Sequence, residues 1–135
     1  MTDQATVGWF SFVDRSVSSR PPGWRTELRQ VLRAYAGTRR ADDVLLTASE
    51  LVSNGTEHGG GVTCLRVTGS AGTVTVEVED RDPHMERPDV AGADRGRGLA
   101  ITAALADGWG WHSTSGGGGK VVWARFRDAH VRQAG

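Results

Sequence analysis

The chain of 135 residues contains one cysteine, Cys64, so no internal disulfide can brace it. A small thiol flanked by apolar residues is most simply a buried packing group. Net charge is also absent, because 16 lysines and arginines balance 16 aspartates and glutamates. Without a basic or acidic excess there is no field to gather nucleic acid or an anionic bilayer, and neither is expected as a partner. No apolar run approaches the roughly 18 residues of a membrane span. The N-terminal MTDQATVGWF has neither the basic nor the apolar region of a signal peptide, and the expected location is the cytoplasm. His58, His84, His112 and His130 show no paired ligand spacing, which argues against a metal hydrolase; each reads as a surface or core-edge histidine.

What the chain does have is length for one core and glycine for loops. It reads as a single domain over 1–135, with a core of about 7–127 and a loose tail at 128–135. Its 19 glycines cluster at 59–61, 92–98 and 116–119, marking loops on a rigid frame, where binding is commonly built.

Val7–Val13, rich in aromatic and β-branched residues, predicts a first strand. Trp24, Leu28, Val31, Leu32 and Tyr35 recur at helical spacing, and Gly37 suits the stop. A second helix is expected from Asp42 or Asp43, whose charge fits a first turn, to about His58. Val62–Thr68 and Thr73–Glu79 read as a hairpin around Gly69–Gly72. A helix over Leu99–Asp107 and a closing hairpin of Trp109–Thr114 with Lys120–Arg127 complete the order. Strands paired in hairpins with helices between them predict an α+β fold: a two-layer sandwich with a mixed or antiparallel sheet and helices on one face. Trp109, Trp111 and Trp123 share the alternation of the last hairpin and are expected to pack the sheet; exposed members could serve a partner surface or a homodimer.

Three placements stand out. On the second helix, Val44, Leu45, Ala48, Leu51, Val52 and Gly55 form a core-facing seam. Glu50, Asn54 and His58 run down one flank of it, with Ser53 and Glu57 further round. A carboxylate and a carboxamide one turn apart could hold a base and a metal ligand over one pocket, although polar residues beside a buried seam also describe any surface helix. In the second hairpin strand Val74, Val76 and Val78 share a face, and the two-residue period carries that face to Asp80. An acid aimed inward needs donors; otherwise the strand ends at Glu79 and Asp80 turns outward. Residues 81–95 form a long charged loop leading to Gly96-Arg97-Gly98-Leu99, where backbone N–H groups at a helix start can approach an anion. A flexible glycine turn into a helix is the plainer reading.

The spaced set Glu50-Leu-Val-Ser-Asn54, Val78-Glu-Asp80 and Gly96-Arg-Gly98-Leu99 resembles the N, G1 and G2 boxes of the GHKL ATPase superfamily, the Bergerat fold shared with histidine kinases. The compact length and the run SELVSNGTEHG are similar to the anti-sigma factor serine kinases. The likeness extends from the first strand to Trp123. It implies ATP and Mg²⁺ as cofactors, with Asn54 as the Mg²⁺ ligand and Ser53 among the nucleotide-binding residues. Glu50 would be the general base for a serine or threonine hydroxyl on a regulatory partner, an anti-sigma antagonist or a sigma factor. Asp80 would accept from the adenine amino group. Arg95, Gly96, Arg97, Gly98 and Leu99 would wrap the phosphates, and 81–95 would be the lid. The chain departs from the family where Asp80-Arg-Asp82-Pro-His84 lacks both glycines of the DxGxG pattern. It departs again where Gly119 is followed by Lys120, Val121 and Val122 instead of a threonine.

Two alternatives belong to other classes. A regulator of the same fold would bind its partner without catalysis. An acyl-CoA N-acetyltransferase would use Arg95–Ala100 as a pyrophosphate loop, but Pro88–Asp94 is acidic and irregular where that loop needs a strand.

Overall fold

The computed structural model describes residues 7–13, 23–36, 38–70, 72–84 and 97–128. The chain runs β1 (Val7–Val13), α1 (Trp24–Tyr35), α2 (Thr38–His58), β2 (Val62–Ser70), β3 (Thr73–Asp80), α3 (Arg97–Leu105), β4 (Gly108–Ser113) and β5 (Lys120–Arg127). The strands form one sheet in the order β1-β2-β3-β5-β4, and every described pairing is antiparallel. This is the expected α+β sandwich, its described strand pairings all antiparallel. No helix among the described residues is long and apolar enough to cross a membrane.

One face of the sheet builds the core. Leu65 and Val67 of β2, Val74, Val76 and Val78 of β3, and Val122, Ala124 and Phe126 of β5 are buried there against Leu28 and Leu32 of α1 and the α2 seam. A register shift between Val62 and Cys64 lets Val62 join this face three residues before Leu65, as an extra residue in one strand does. Cys64 falls on the other face but is still buried. Burial pushes its thiol above the ordinary range, against the pull of Arg66. Labelling by a disulfide reagent at neutral pH is therefore expected to be at least about tenfold slower in the native protein than in denaturant; equal rates would show an accessible thiolate.

The second helix corrects its expected start. It begins at Thr38, with no acid in its first turn, because Ala41 extends the buried seam one turn ahead of Val44. Arg40 anchors this turn. Its guanidinium donates to Asp43 at 3.0 Å, to the carbonyl of Leu105 at 2.9 Å, to Asp107 at 2.6 Å and to the carbonyl of Arg127 at 3.1 Å. One side chain thus ties the start of α2 to the ends of α3 and β5.

The tryptophans divide between the faces. Trp109 opposes Ala124 and Trp111 opposes Val122, whereas Trp123 opposes Gly110, so Trp123 points away from the core face that Trp109 shares. Trp109 and Trp123 both pack the sheet as expected, but from opposite faces, because antiparallel partners share a face and the register offsets the two strands by one residue. Trp109 packs against the core, Trp111 is 45% exposed, and Trp123 lies over Gly110, where a Cβ would come within 2.8 Å of its ring.

Candidate functional site

The α2 seam faces the sheet, and its flank meets the ends of β3 and β5 and the start of α3. The result is an open cleft. Leu51, Val78, Leu99 and Val122 supply its apolar walls, and Asn54, His58, Asp80, Asp82, His84 and Lys120 its polar ones. The structure therefore brings Asn54, Asp80 and Leu99 together. Glu50 and Ser53 are half-buried on the same helix but outside the cleft lining. Arg97 and Gly98 open α3. Arg95, Gly96 and most of the expected lid at 81–95 lie outside the described residues.

Asp80 continues the inward alternation of β3 and is 4% exposed. Two chain segments reach it only because they lack a side chain. A Cβ on Gly59 would stand 2.5 Å from Asp80 Oδ2 and 2.6 Å from its Cγ, and one on Gly119 would strike the Asp80 carbonyl oxygen. The end of α2 is stitched to the same spot, since the Arg81 N–H donates to the carbonyl of Gly59 at 2.9 Å.

The carboxylate has a partner that sequence reasoning missed. Lys120 Nζ lies 3.0 Å from Asp80 Oδ2 and 3.1 Å from Oδ1, and it donates to the Asp82 carbonyl at 3.1 Å. The Asp82 N–H also donates to Asp80 Oδ1 at 2.9 Å. Burial pushes the Asp80 carboxyl above its ordinary range, opposed by the hydrogen bonds from Lys120 and the Asp82 N–H. A signal for Lys120 was present. Along β5 the core-facing positions are Phe126, Ala124 and Val122, and the same period ends on Lys120, directly across from Asp80. An inward lysine opposite an inward aspartate predicts a pair.

The remaining polar walls are less tied down. Asp82 accepts from the His84 backbone N–H at 2.9 Å and approaches its ring Nδ1 at 3.0 Å, and these contacts hold the Asp82 carboxyl below the usual range. His58 Nε2 is shielded from solvent without a hydrogen-bond partner; its nearest acid, Glu57, is 3.8 Å away. His58 and His84 both line the cleft, so they are cleft residues as well as edge histidines.

No cluster of three or more His, Cys, Asp or Glu among the described residues could hold a metal ion by itself. Asn54 lines the cleft, and a carboxamide can give one oxygen ligand. That suits a hard cation such as Mg²⁺, which keeps several waters and arrives with phosphate oxygens.

A family model described as histidine kinase-like ATPase domain matches residues 18–126. Comparison with curated proteins finds no match.

Proposed function

Because the chain belongs to the histidine kinase-like ATPase family, a family of ATP-binding domains, we propose that the cleft between α2, β3, α3 and β5 takes Mg-ATP. We further propose that the protein passes the γ-phosphoryl group to a serine or threonine of a regulatory partner, in the manner of the anti-sigma factor serine kinases, in the cytoplasm. The observation that carries this reading is the position of Asn54. It lines the cleft one helical turn beyond Glu50, while Leu51, Val78, Leu99 and Val122 wall a space for a flat ring.

The roles divide by chemistry. Asn54 would offer its carboxamide oxygen to Mg²⁺, and the ion, when bound, neutralises charge on the phosphates. Glu50 is partly exposed, so a hydroxyl on another protein can reach it from solvent. Its carboxylate would take the hydroxyl proton while the oxygen attacks the γ-phosphorus, and the bond to the β–γ bridging oxygen breaks to release ADP. Ser53, Arg95, Gly96, Arg97, Gly98 and Leu99 belong to the phosphate end of this proposal, where backbone N–H groups at the start of α3 favour anionic oxygens. Membership of this family leaves the acetyltransferase reading of Arg95–Ala100 without support.

The test is incubation with γ-labelled ATP and candidate anti-sigma antagonists, comparing wild type with Glu50→Gln. Transfer should fall by about 10²–10⁴-fold, the usual contribution of a positioned base, while nucleotide affinity stays unchanged because shape is kept. Transfer at the wild-type rate would remove Glu50 from its role. A second reading, a regulator that acts by binding its partner, is favoured by the engagement of Asp80 with Lys120. Absence of calorimetric heat at millimolar Mg-ATP would select it.

A further inference from the structure

The Lys120 ammonium has three donors, and the chain itself offers three acceptors for them. Two are the oxygens of Asp80, at 3.0 and 3.1 Å, and the third is the Asp82 carbonyl, at 3.1 Å. The lysine side chain is 8% exposed and that of Asp80 4%, so water competes little for either. Main chain passes close to Asp80 on two sides, since a Cβ on Gly59 would stand 2.5 Å from its Oδ2 and one on Gly119 would strike its carbonyl oxygen.

A flat base entering between Leu51, Val78, Leu99 and Val122 would therefore meet a carboxylate whose roughly four acceptor positions are mostly taken, two by Lys120 and one by the Asp82 N–H. An exocyclic amine brings donors and needs a free acceptor. Here it must compete with a charged donor, whose hydrogen bonds are about twice as strong as those of a neutral one. We infer that Lys120 sets base selectivity in this cleft by holding Asp80 against an amino-bearing purine, so that the polyphosphate supplies most of the affinity for ATP. The inference rests on the nucleotide-binding reading above. It assigns to one residue a property which that reading leaves open, namely how much the base contributes.

The experiment titrates the full chain with Mg-ATP and with Mg-tripolyphosphate, which carries no base. Wild type should bind the two with dissociation constants within about threefold of each other. Lys120→Thr and Lys120→Gln should bind ATP roughly 10- to 100-fold more tightly, the value of one hydrogen bond to a charged acceptor. Neither should gain affinity for tripolyphosphate. Glutamine keeps much of the length of the lysine and a donor for Asp80, so it serves if the threonine variant does not fold. The inference is overturned if wild type prefers ATP about tenfold or more and loses that preference with either substitution, because Lys120 would then recruit the base. Folded variants that bind ATP no more tightly than wild type overturn it as well. If no form of the protein binds either probe, the nucleotide reading itself falls and takes the inference with it, an outcome distinct from the other two.

Discussion

Asp80→Ala is expected to lower the unfolding free energy by about 3–5 kcal/mol, the usual cost of removing one member of a buried ion pair. The loss comes less from the missing attraction than from what remains. Lys120 Nζ would keep only the Asp82 carbonyl as a partner, in a position where its side chain is 8% exposed. An ammonium taken out of water without a counter-charge is costly. Burial also holds the Asp80 carboxyl above its ordinary range despite the lysine, so the intact pair is not a large net stabiliser. Adding Lys120→Met to Asp80→Ala should then restore most of the loss, because it removes the stranded charge and leaves an apolar chain of similar length. Urea denaturation of wild type, both single variants and the double variant closes the cycle. Independent, additive costs would show that the two side chains are not coupled.

Phe126→Ala should cost a similar amount, about 3–5 kcal/mol, through a different mechanism. Phe126 is fully buried, opposes Val74 across the β3–β5 pairing, and carries the Arg40 guanidinium 5.5 Å above its ring. Truncation opens a cavity beneath the side chain that joins α2, α3 and β5. Arg40 would keep its hydrogen bonds to Leu105 and Asp107 but lose the aromatic surface under its cation. Since small domains are stable by about 5–15 kcal/mol in all, a midpoint shift well under a fifth of the wild-type value would contradict this account.

The two variants mark where sequence reasoning succeeds and where it stops. Strand alternation in Val74, Val76 and Val78 leads to a buried Asp80, and helical spacing from Val44 to Gly55 leads to the buried seam of α2. Both are local periodicities, set by the geometry of a single element. Lys120 lies 40 positions from Asp80, and its role depends on which strand sits beside β3. Gly119 reads as a turn glycine, yet its backbone must also pass Asp80 where no Cβ fits. Trp123 shows the same limit: alternation within β4 and β5 is plain, but which face each tryptophan takes follows from the register between them. Glu50 and Asn54 share a helical flank by spacing alone, whereas only the packing of α2 shows Asn54 lining the cleft and Glu50 outside it.

The sheet has two kinds of seam. β2 with β3 and β4 with β5 are closed by short turns, Ser70 pairing with Thr73 and Ser113 with Lys120. β1 with β2 and β3 with β5 join residues far apart in the chain, such as Val13 with Cys64 and Asp80 with Lys120. Local hairpins form in about 1–10 μs, so the long-range seams are the slow events in folding. Closing a longer loop is only mildly dearer, about 0.6 kcal/mol per doubling of its length. The connection from β3 to α3 can therefore lengthen or shorten between related chains with little effect on the stability of the sheet. The seam it closes has the Asp80–Lys120 pair at the end nearer in sequence, so the rung with the shortest loop to close also lines the cleft.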